Sequence, residues 1–277
     1  MRVDQHTSRF AALLASAAST DPVAGSTHGY YRYPARFSPQ FARCAIEGLT
    51  DPGDTVLDPF MGGGTSAVEA VAAGRRFIGC DINPLSHFIA HVKTTPVSPQ
   101  GLAEVIEWTR VLDRENDLRS RSIPDYDWEP YQLNLPWWLR NTIELALRRV
   151  LILSSEKTRR FARCALLKTG QWALDCRRTV PTAREFIARL QEDAVEMAGG
   201  MREYRSRIGR SSLKPRQVES NRRLILGSSA EVLANAALPR GWKAPRLILT
   251  SPPYAVSAAN YSRLTAKDSR KGRYSKT

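Results

Sequence analysis

The run Leu57-Asp58-Pro59-Phe60-Met61-Gly62-Gly63-Gly64-Thr65 is the first place where residue types and spacing suggest chemistry. Successive glycines let a backbone turn tightly and approach a ligand closely. The spacing is not the G-x-G-x-x-G of a dinucleotide fingerprint, and no lysine follows Gly64 as a phosphate-binding P-loop requires. A plain strand-to-helix turn is the simplest alternative. Further on, Gly79-Cys80-Asp81-Ile82-Asn83-Pro84 presents a carboxylate 23 positions after Asp58, where a neighbouring parallel strand would end beside the loop. An acid there can accept both hydroxyls of a ribose; it can also cap the following helix, and the two roles are compatible. Loop and acid together point to an adenosine-containing ligand that needs no pyrophosphate cradle.

A second constellation is Thr250-Ser251-Pro252-Pro253-Tyr254. An exocyclic amino nitrogen on a base has its lone pair delocalised into the ring, so it must become more tetrahedral before it can attack a methyl group. Acceptors around it favour that geometry. Ser251 offers a hydroxyl oxygen, and the Pro252 carbonyl is an acceptor held by two rings of restricted φ. Tyr254 offers a flat face on which an extruded base can stack. Taken alone, the tetrapeptide reads equally well as a rigid surface turn.

These groups need elements to hold them. Short apolar runs at Thr55 to Asp58, Phe77 to Asp81, Leu224 to Leu226 and Leu247 to Thr250 read as buried parallel strands. Helical patterns at Thr65 to Ala73, Pro84 to Val92 and Ser229 to Ala236 alternate with them, as in a doubly wound sheet. Between the second and third strands, Gly101 to Arg119, Leu139 to Leu153, Thr158 to Asp175 and Thr182 to Arg207 read as helices, too long a passage for a loop. Ser206 to Ser220 reads as a basic, flexible return.

The chain has 277 residues, with 41 Lys and Arg against 27 Asp and Glu, a net charge of +14. The excess is localised. Residues 110–223 carry 24 basic and 15 acidic side chains and residues 260–277 carry 6 and 1, while the rest is balanced at 11 and 11. Two basic segments flanking a neutral core favour a polyanion-binding face over an ordinary solvated surface. Arg148, Arg149, Arg159, Arg160, Arg177 and Arg178 are the candidates for phosphate contacts. Cys44, Cys80, Cys164 and Cys176 form no CxxC pair, which fits a reducing cytoplasm. Phe10 to Ala18 only faintly resembles a signal peptide, and no run is long enough to span a membrane. His87 and His91 lie four apart, but no third ligand accompanies them, so no metal is expected. Trp137 and Trp138, with Trp128 and Tyr131, read as a small aromatic core rather than a base-stacking platform.

Together the motifs resemble those of the N4-cytosine and N6-adenine DNA methyltransferases of restriction-modification systems. Asp58 to Thr65 looks like their cofactor loop, Ser251-Pro252-Pro253-Tyr254 like their catalytic tetrapeptide, and Arg32 to Pro39 like the segment closing over the methionine end of the cofactor. The resemblance implies a Rossmann-like α/β sheet that binds S-adenosyl-L-methionine and acts on double-stranded DNA. It assigns Phe37, Asp58, Pro59, Phe60, Gly62, Gly63, Gly64, Thr65, Asp81 and Ile82 to the cofactor and Ser251, Pro252, Pro253 and Tyr254 to catalysis. A Ser-initiated tetrapeptide is commoner in the cytosine-N4 enzymes and an Asp-initiated one in the adenine enzymes; N6-adenine and a silent nucleic-acid-binding remnant are the alternatives. Gly227-Ser228-Ser229 lacks the acid that relatives often carry there. Only 23 residues follow Tyr254, so the chain looks truncated relative to its relatives, with the catalytic strand near an open sheet edge. The implied organisation is an extension over 1–29, a core over 30–100 and 222–263, a basic DNA-binding helical insertion over 101–221 and a basic tail over 264–277. A cognate restriction endonuclease or a second chain completing the fold is an implied partner.

Overall fold

The computed structural model describes residues 11–18, 25–33, 38–114, 135–175, 179–211, 213–230 and 238–252. Four strands, β1 (Thr55–Asp58), β2 (Arg76–Asp81), β3 (Arg222–Leu226) and β4 (Leu247–Ile248), pair in parallel in the order β3-β2-β1-β4. Every residue of β1 is buried, as expected of a strand with neighbours on both edges and cover on its faces. The chain steps from β1 through β2 to β3 in one direction and then returns to β4 on the other side of β1. That reversal is a topological switch point, and ligands of open α/β sheets bind outside the carboxyl ends of the strands there. The fold is therefore the expected Rossmann-like α/β sheet.

Helix α1 covers 11–18, and α2 (Pro39–Leu49), α3 (Thr65–Ala72) and α4 (Pro84–Lys93) belong with the sheet. α2 is an element the reading of the sequence did not anticipate, although its signals are ordinary. Ser38 accepts a bond from the Gln40 amide at 3.2 Å, Pro39 opens the helix, and Ala42, Ala45 and Ile46 bury one face. The long passage between β2 and β3 holds α5 (Pro99–Arg114), α6 (Trp137–Val150), α7 (Glu156–Leu174) and α8 (Ala183–Arg210). All four expected helices are present with shifted ends. Thr182 is the cap of α8 rather than its first residue, in a capping box with Glu185. The flexible return expected over Ser206 to Ser220 is corrected: α8 continues to Arg210, and two single-turn 3-10 helices, Pro215–Gln217 and Glu219–Asn221, follow. The helical pattern at Ser229 to Ala236 lies mostly outside the described residues, as do Phe37, Pro253 and Tyr254.

The helices of this passage do not stand apart from the sheet. Leu102 and Val105 of α5, Phe161 of α7 and Phe186, Leu190, Met197 and Met201 of α8 form one continuous buried cluster with Val56 of β1 and Phe77 of β2. Burial of each such side chain contributes about 1.5–3 kcal/mol. One ionic joint reinforces this packing. Glu69 of α3, fully buried, accepts from His28 Nε2 at 2.8 Å, Arg43 Nε at 2.9 Å and Arg207 Nη1 at 2.9 Å, tying α2, α3, α8 and the single-turn helix His28–Tyr30 together. Burial alone would raise its pKa, but the bonds from His28, Arg207 and Arg43 overcome it and hold the carboxylate far below its usual range.

Candidate cofactor and catalytic site

The glycine turn after β1 is fixed from several sides. Gly62 and Gly64 adopt φ of +47° and +75°, and Gly64 opens α3 so close to α4 that an added Cβ would lie 2.8 Å from the Ala90 Cβ. Only glycine meets both demands at that position. At Gly63 an added Cβ would lie 2.8 Å from the Tyr33 Cβ, so a side chain has no room there either.

Asp58 and Asp81 stand at either side of this turn. β1 and β2 pair with Asp58 level with Gly79, so β2 runs two residues further and delivers Asp81 beside the loop, as the spacing suggested. Asp81 Oδ2 accepts from the Gly62 amide at 2.9 Å and Oδ1 from the Asn83 amide at 2.8 Å. The cap of α4 is Asn83, whose Oδ1 accepts from the Leu85 amide at 2.9 Å. Asp81 is thus relieved of capping. It remains half-buried, and each carboxylate oxygen keeps a lone pair for a further donor.

Asp58 is buried and turned inward. Its Oδ1 accepts from the Phe60 amide at 3.1 Å and the Thr250 hydroxyl at 2.7 Å, and its Oδ2 accepts from the Ser66 hydroxyl. Burial raises its pKa, and these bonds only partly pull it back. The Thr250 bond brings the end of β4 to the end of β1. Ser251 and Pro252 follow immediately, Ser251 half-buried and Pro252 exposed, at the switch point of the sheet. Pro59 is half-buried and Thr65 buried in the first turn of α3, while Phe60 and Ile82 are exposed, Ile82 by 74%. Two exposed apolar side chains flanking a half-exposed acid suit the faces and the ribose edge of a nucleoside.

Tyr33 is the residue that reasoning from sequence passed over. Its ring lies against Gly62 and Gly63, and its hydroxyl accepts from Asn83 Nδ2 at 3.4 Å, so it spans the gap between the β1 and β2 turns. The helical layer holds it there. Gln171 of α7 bonds both the amide and the carbonyl of Arg32, at 2.9 and 3.0 Å, and Tyr30 donates to the Met197 carbonyl at 2.8 Å. Tyr33 lies inside the Arg32 to Pro39 segment that the resemblance marks as a cover, which is the signal the sequence offers for it.

Other expectations meet different surroundings. Trp137 and Trp138 are not a core: they are 58% and 38% exposed and stack edge to face at 6.2 Å, because they open α6 where its buried face has not yet begun. Trp128 and Tyr131 lie outside the described residues. His87 Nε2 donates to the Leu224 carbonyl, and His91 meets Arg160 and Thr95; burial and the Arg222 and Arg160 charges lower the His91 pKa to about 4. Among the described residues no three His, Cys, Asp or Glu side chains gather as a metal site. Of the arginines marked for phosphate contact, Arg148 pairs with Glu144 at 2.8 Å, and Arg159 and Arg160 pair with Glu156 at 3.8 and 2.9 Å. The pairs with exposed Glu156 are weak enough to exchange for a phosphate, whereas Glu144 is buried beneath Arg148. Arg177 and Arg178 lie outside the described residues, and among those described no helix is long and apolar enough to cross a membrane.

A parallel sheet with a glycine turn after β1, an acid after β2 and a Ser-Pro pair after β4 has the architecture of a Rossmann-like methyltransferase. A family model described as DNA methylase matches residues 15–90. The chain is similar to the Type II methyltransferase M.MvaI of Kocuria varians, with 29% identity over 272 residues that cover 87% of this chain and 57% of that protein. It is 35% identical over 79 residues to the Type II methyltransferase M.MjaII of Methanocaldococcus jannaschii, covering 28% of this chain and 15% of that one. It is also 41% identical over 54 residues to the DNA adenine methyltransferase YhdJ of Escherichia coli, 20% of this chain and 18% of the relative. The chain thus spans little more than half of the first relative and a small part of the others. No solved structure matches it.

Proposed function

We propose that the chain is an S-adenosyl-L-methionine-dependent DNA amino-methyltransferase whose target is the N4 nitrogen of cytosine. The observation that carries this reading is the Thr250 to Asp58 hydrogen bond of 2.7 Å, which joins the Ser-Pro turn and the glycine loop at one switch point. The cofactor's part is to supply an electrophilic methyl group. Asp81 holds the ribose hydroxyls, Phe60 and Ile82 flank the adenine, and Gly62 to Thr65 form the floor under the methionine end. Asp58, accepting from Phe60, Ser66 and Thr250, keeps β1, α3 and β4 in register beneath the pocket. Ser251 and the Pro252 carbonyl accept from the target amine and favour a tetrahedral nitrogen, with Pro253 and Tyr254 completing the turn and stacking the base. A serine is too weak a base to take the proton first, so the proton leaves to solvent after the nitrogen has gained charge.

The basic helices of residues 101–221 supply the sequence-independent attraction for double-stranded DNA. A second reading, adenine N6 as target, draws on the likeness to a relative named a DNA adenine methyltransferase. Incubation with methyl-labelled cofactor and DNA, followed by nucleoside analysis, tests both: label in N4-methylcytosine supports the first, and label in N6-methyladenine supports the second. Cofactor binding with no label in DNA would sink both in favour of a silent nucleic-acid-binding chain. Activity that appears only on mixing with a neighbouring gene product would support a second chain completing the enzyme.

A further inference from the structure

Lys93, the last residue of α4, is fully buried, and its Nζ donates to the Gly63 carbonyl at 2.8 Å. Its own carbonyl accepts from the Thr27 hydroxyl at 2.9 Å, which fixes the end of α4 against the segment leading to Tyr33. Burying an ammonium costs several kcal/mol, and the Gly63 carbonyl could be served by a neutral donor. Its charge has a use at the loop. Two carboxylates border the same turn, Asp81 bonded to the Gly62 amide and Asp58 bonded to the Phe60 amide. An anionic group entering beside them is repelled unless a cation stands close behind the backbone. Among the described residues, Lys93 is a cation hydrogen-bonded to the loop itself.

We propose that Lys93 is a positioning residue, whose ammonium fixes the Gly63 peptide and makes the glycine turn receptive to the carboxylate of an amino-acid-bearing nucleoside. This rests on the reading of the site as an S-adenosylmethionine pocket. Two ligands separate the parts of that pocket: S-adenosylhomocysteine carries the amino-acid carboxylate, and 5′-methylthioadenosine keeps the adenosine and the sulfur but lacks it. Titration calorimetry on the whole chain, the unmodified protein beside Lys93→Met, is the test. The variant should bind S-adenosylhomocysteine about tenfold more weakly, the size expected of one unit charge acting over about 12 Å in a protein, and bind 5′-methylthioadenosine within about twofold of the unmodified chain. Where Lys93→Met does not fold, Lys93→Gln, which keeps a donor and loses the charge, takes its place with the same expectation. Equal weakening of both ligands would mean that Lys93 only supports the fold, and no weakening of either would mean that its charge is idle; both results overturn the assignment. Failure of the unmodified chain to bind either ligand would instead overturn the reading of the pocket itself.

Discussion

Two carboxylates on the β1–α3 unit are almost equally hidden from water, Asp58 at 2% exposure and Glu69 at 0%, yet they are driven in opposite directions. Asp58 meets two hydroxyls and an amide, all neutral, so the cost of burial wins and its pKa rises. Glu69 meets two guanidiniums and an imidazole, so their attraction wins and its pKa falls. Burial alone therefore does not decide the state of a carboxylate; the charge of its partners does. The difference also divides labour. Around Glu69 the protein fixes its outer helices to the sheet, and around Asp58 it registers a crevice that must still admit a ligand.

The sharpest way to break this contrast is Glu69→Ala. Removing the acid leaves Arg43, Arg207 and His28 facing one another at a buried joint, and the chain should lose about 3–5 kcal/mol of stability, measured by chemical denaturation. A loss under about 1 kcal/mol would mean that the joint is solvated and holds nothing. The same group sets an acid limit. Its folded pKa lies below its unfolded value near 4.5, so its contribution is complete above that pH and is lost as pH falls through the folded pKa.

On the crevice side, Asp81→Ala should cost about a hundredfold in S-adenosylhomocysteine affinity, the loss of a carboxylate accepting two ribose donors. Calorimetry showing unchanged affinity would remove Asp81 from the ligand and leave it a brace for Gly62. Gly64→Ala tests the loop between the two regions. Its φ of +75° and the 2.8 Å approach to Ala90 leave no room for a methyl group, so stability should fall by about 2 kcal/mol. A variant as stable as the parent would show that α3 and α4 can separate there.

The crevice was more legible from sequence than the joint. Gly62 to Thr65, Asp81 and Ser251 announce themselves because their chemistry is local: glycine conformations, a carboxylate at a strand end, acceptors beside restricted rings. The expected alternation of short apolar runs and helical patterns also sufficed to place β1 and β2 side by side. Glu69 gave no such signal. It sits in an apolar helix as one acid among alanines and valines, and its meaning comes from His28, Arg43 and Arg207, which lie 26 to 138 positions away. The start of α2 is marked by Ser38 and Pro39, but these two residues also end the Arg32 to Pro39 segment, so the same signal serves two readings. Lys93 and Tyr33 were hidden for the same reason as Glu69: what they touch is the glycine turn, far off in sequence, and nothing in their own neighbourhood announces it.

The smallest expected effect is the most discriminating one for the contrast itself. In Asp58→Asn the amide oxygen can keep the Phe60 and Thr250 bonds, and the amide nitrogen can donate to Ser66, whose hydroxyl is able to accept. At neutral pH the substitution should cost less than about 1 kcal/mol. The informative quantity is how that cost changes with pH. Because the folded pKa of Asp58 is raised above 3.8, the folded state binds its proton more tightly than the unfolded state does. The parent is therefore favoured at low pH and loses that advantage as pH rises through the folded pKa, whereas the asparagine has nothing to lose. Denaturation of the two proteins at about pH 3.5 and about pH 7 should show the variant gaining on the parent as pH increases. Were the parent to gain instead, Asp58 would be held ionised like Glu69, and a cation not in contact with it in this structure would have to face the crevice.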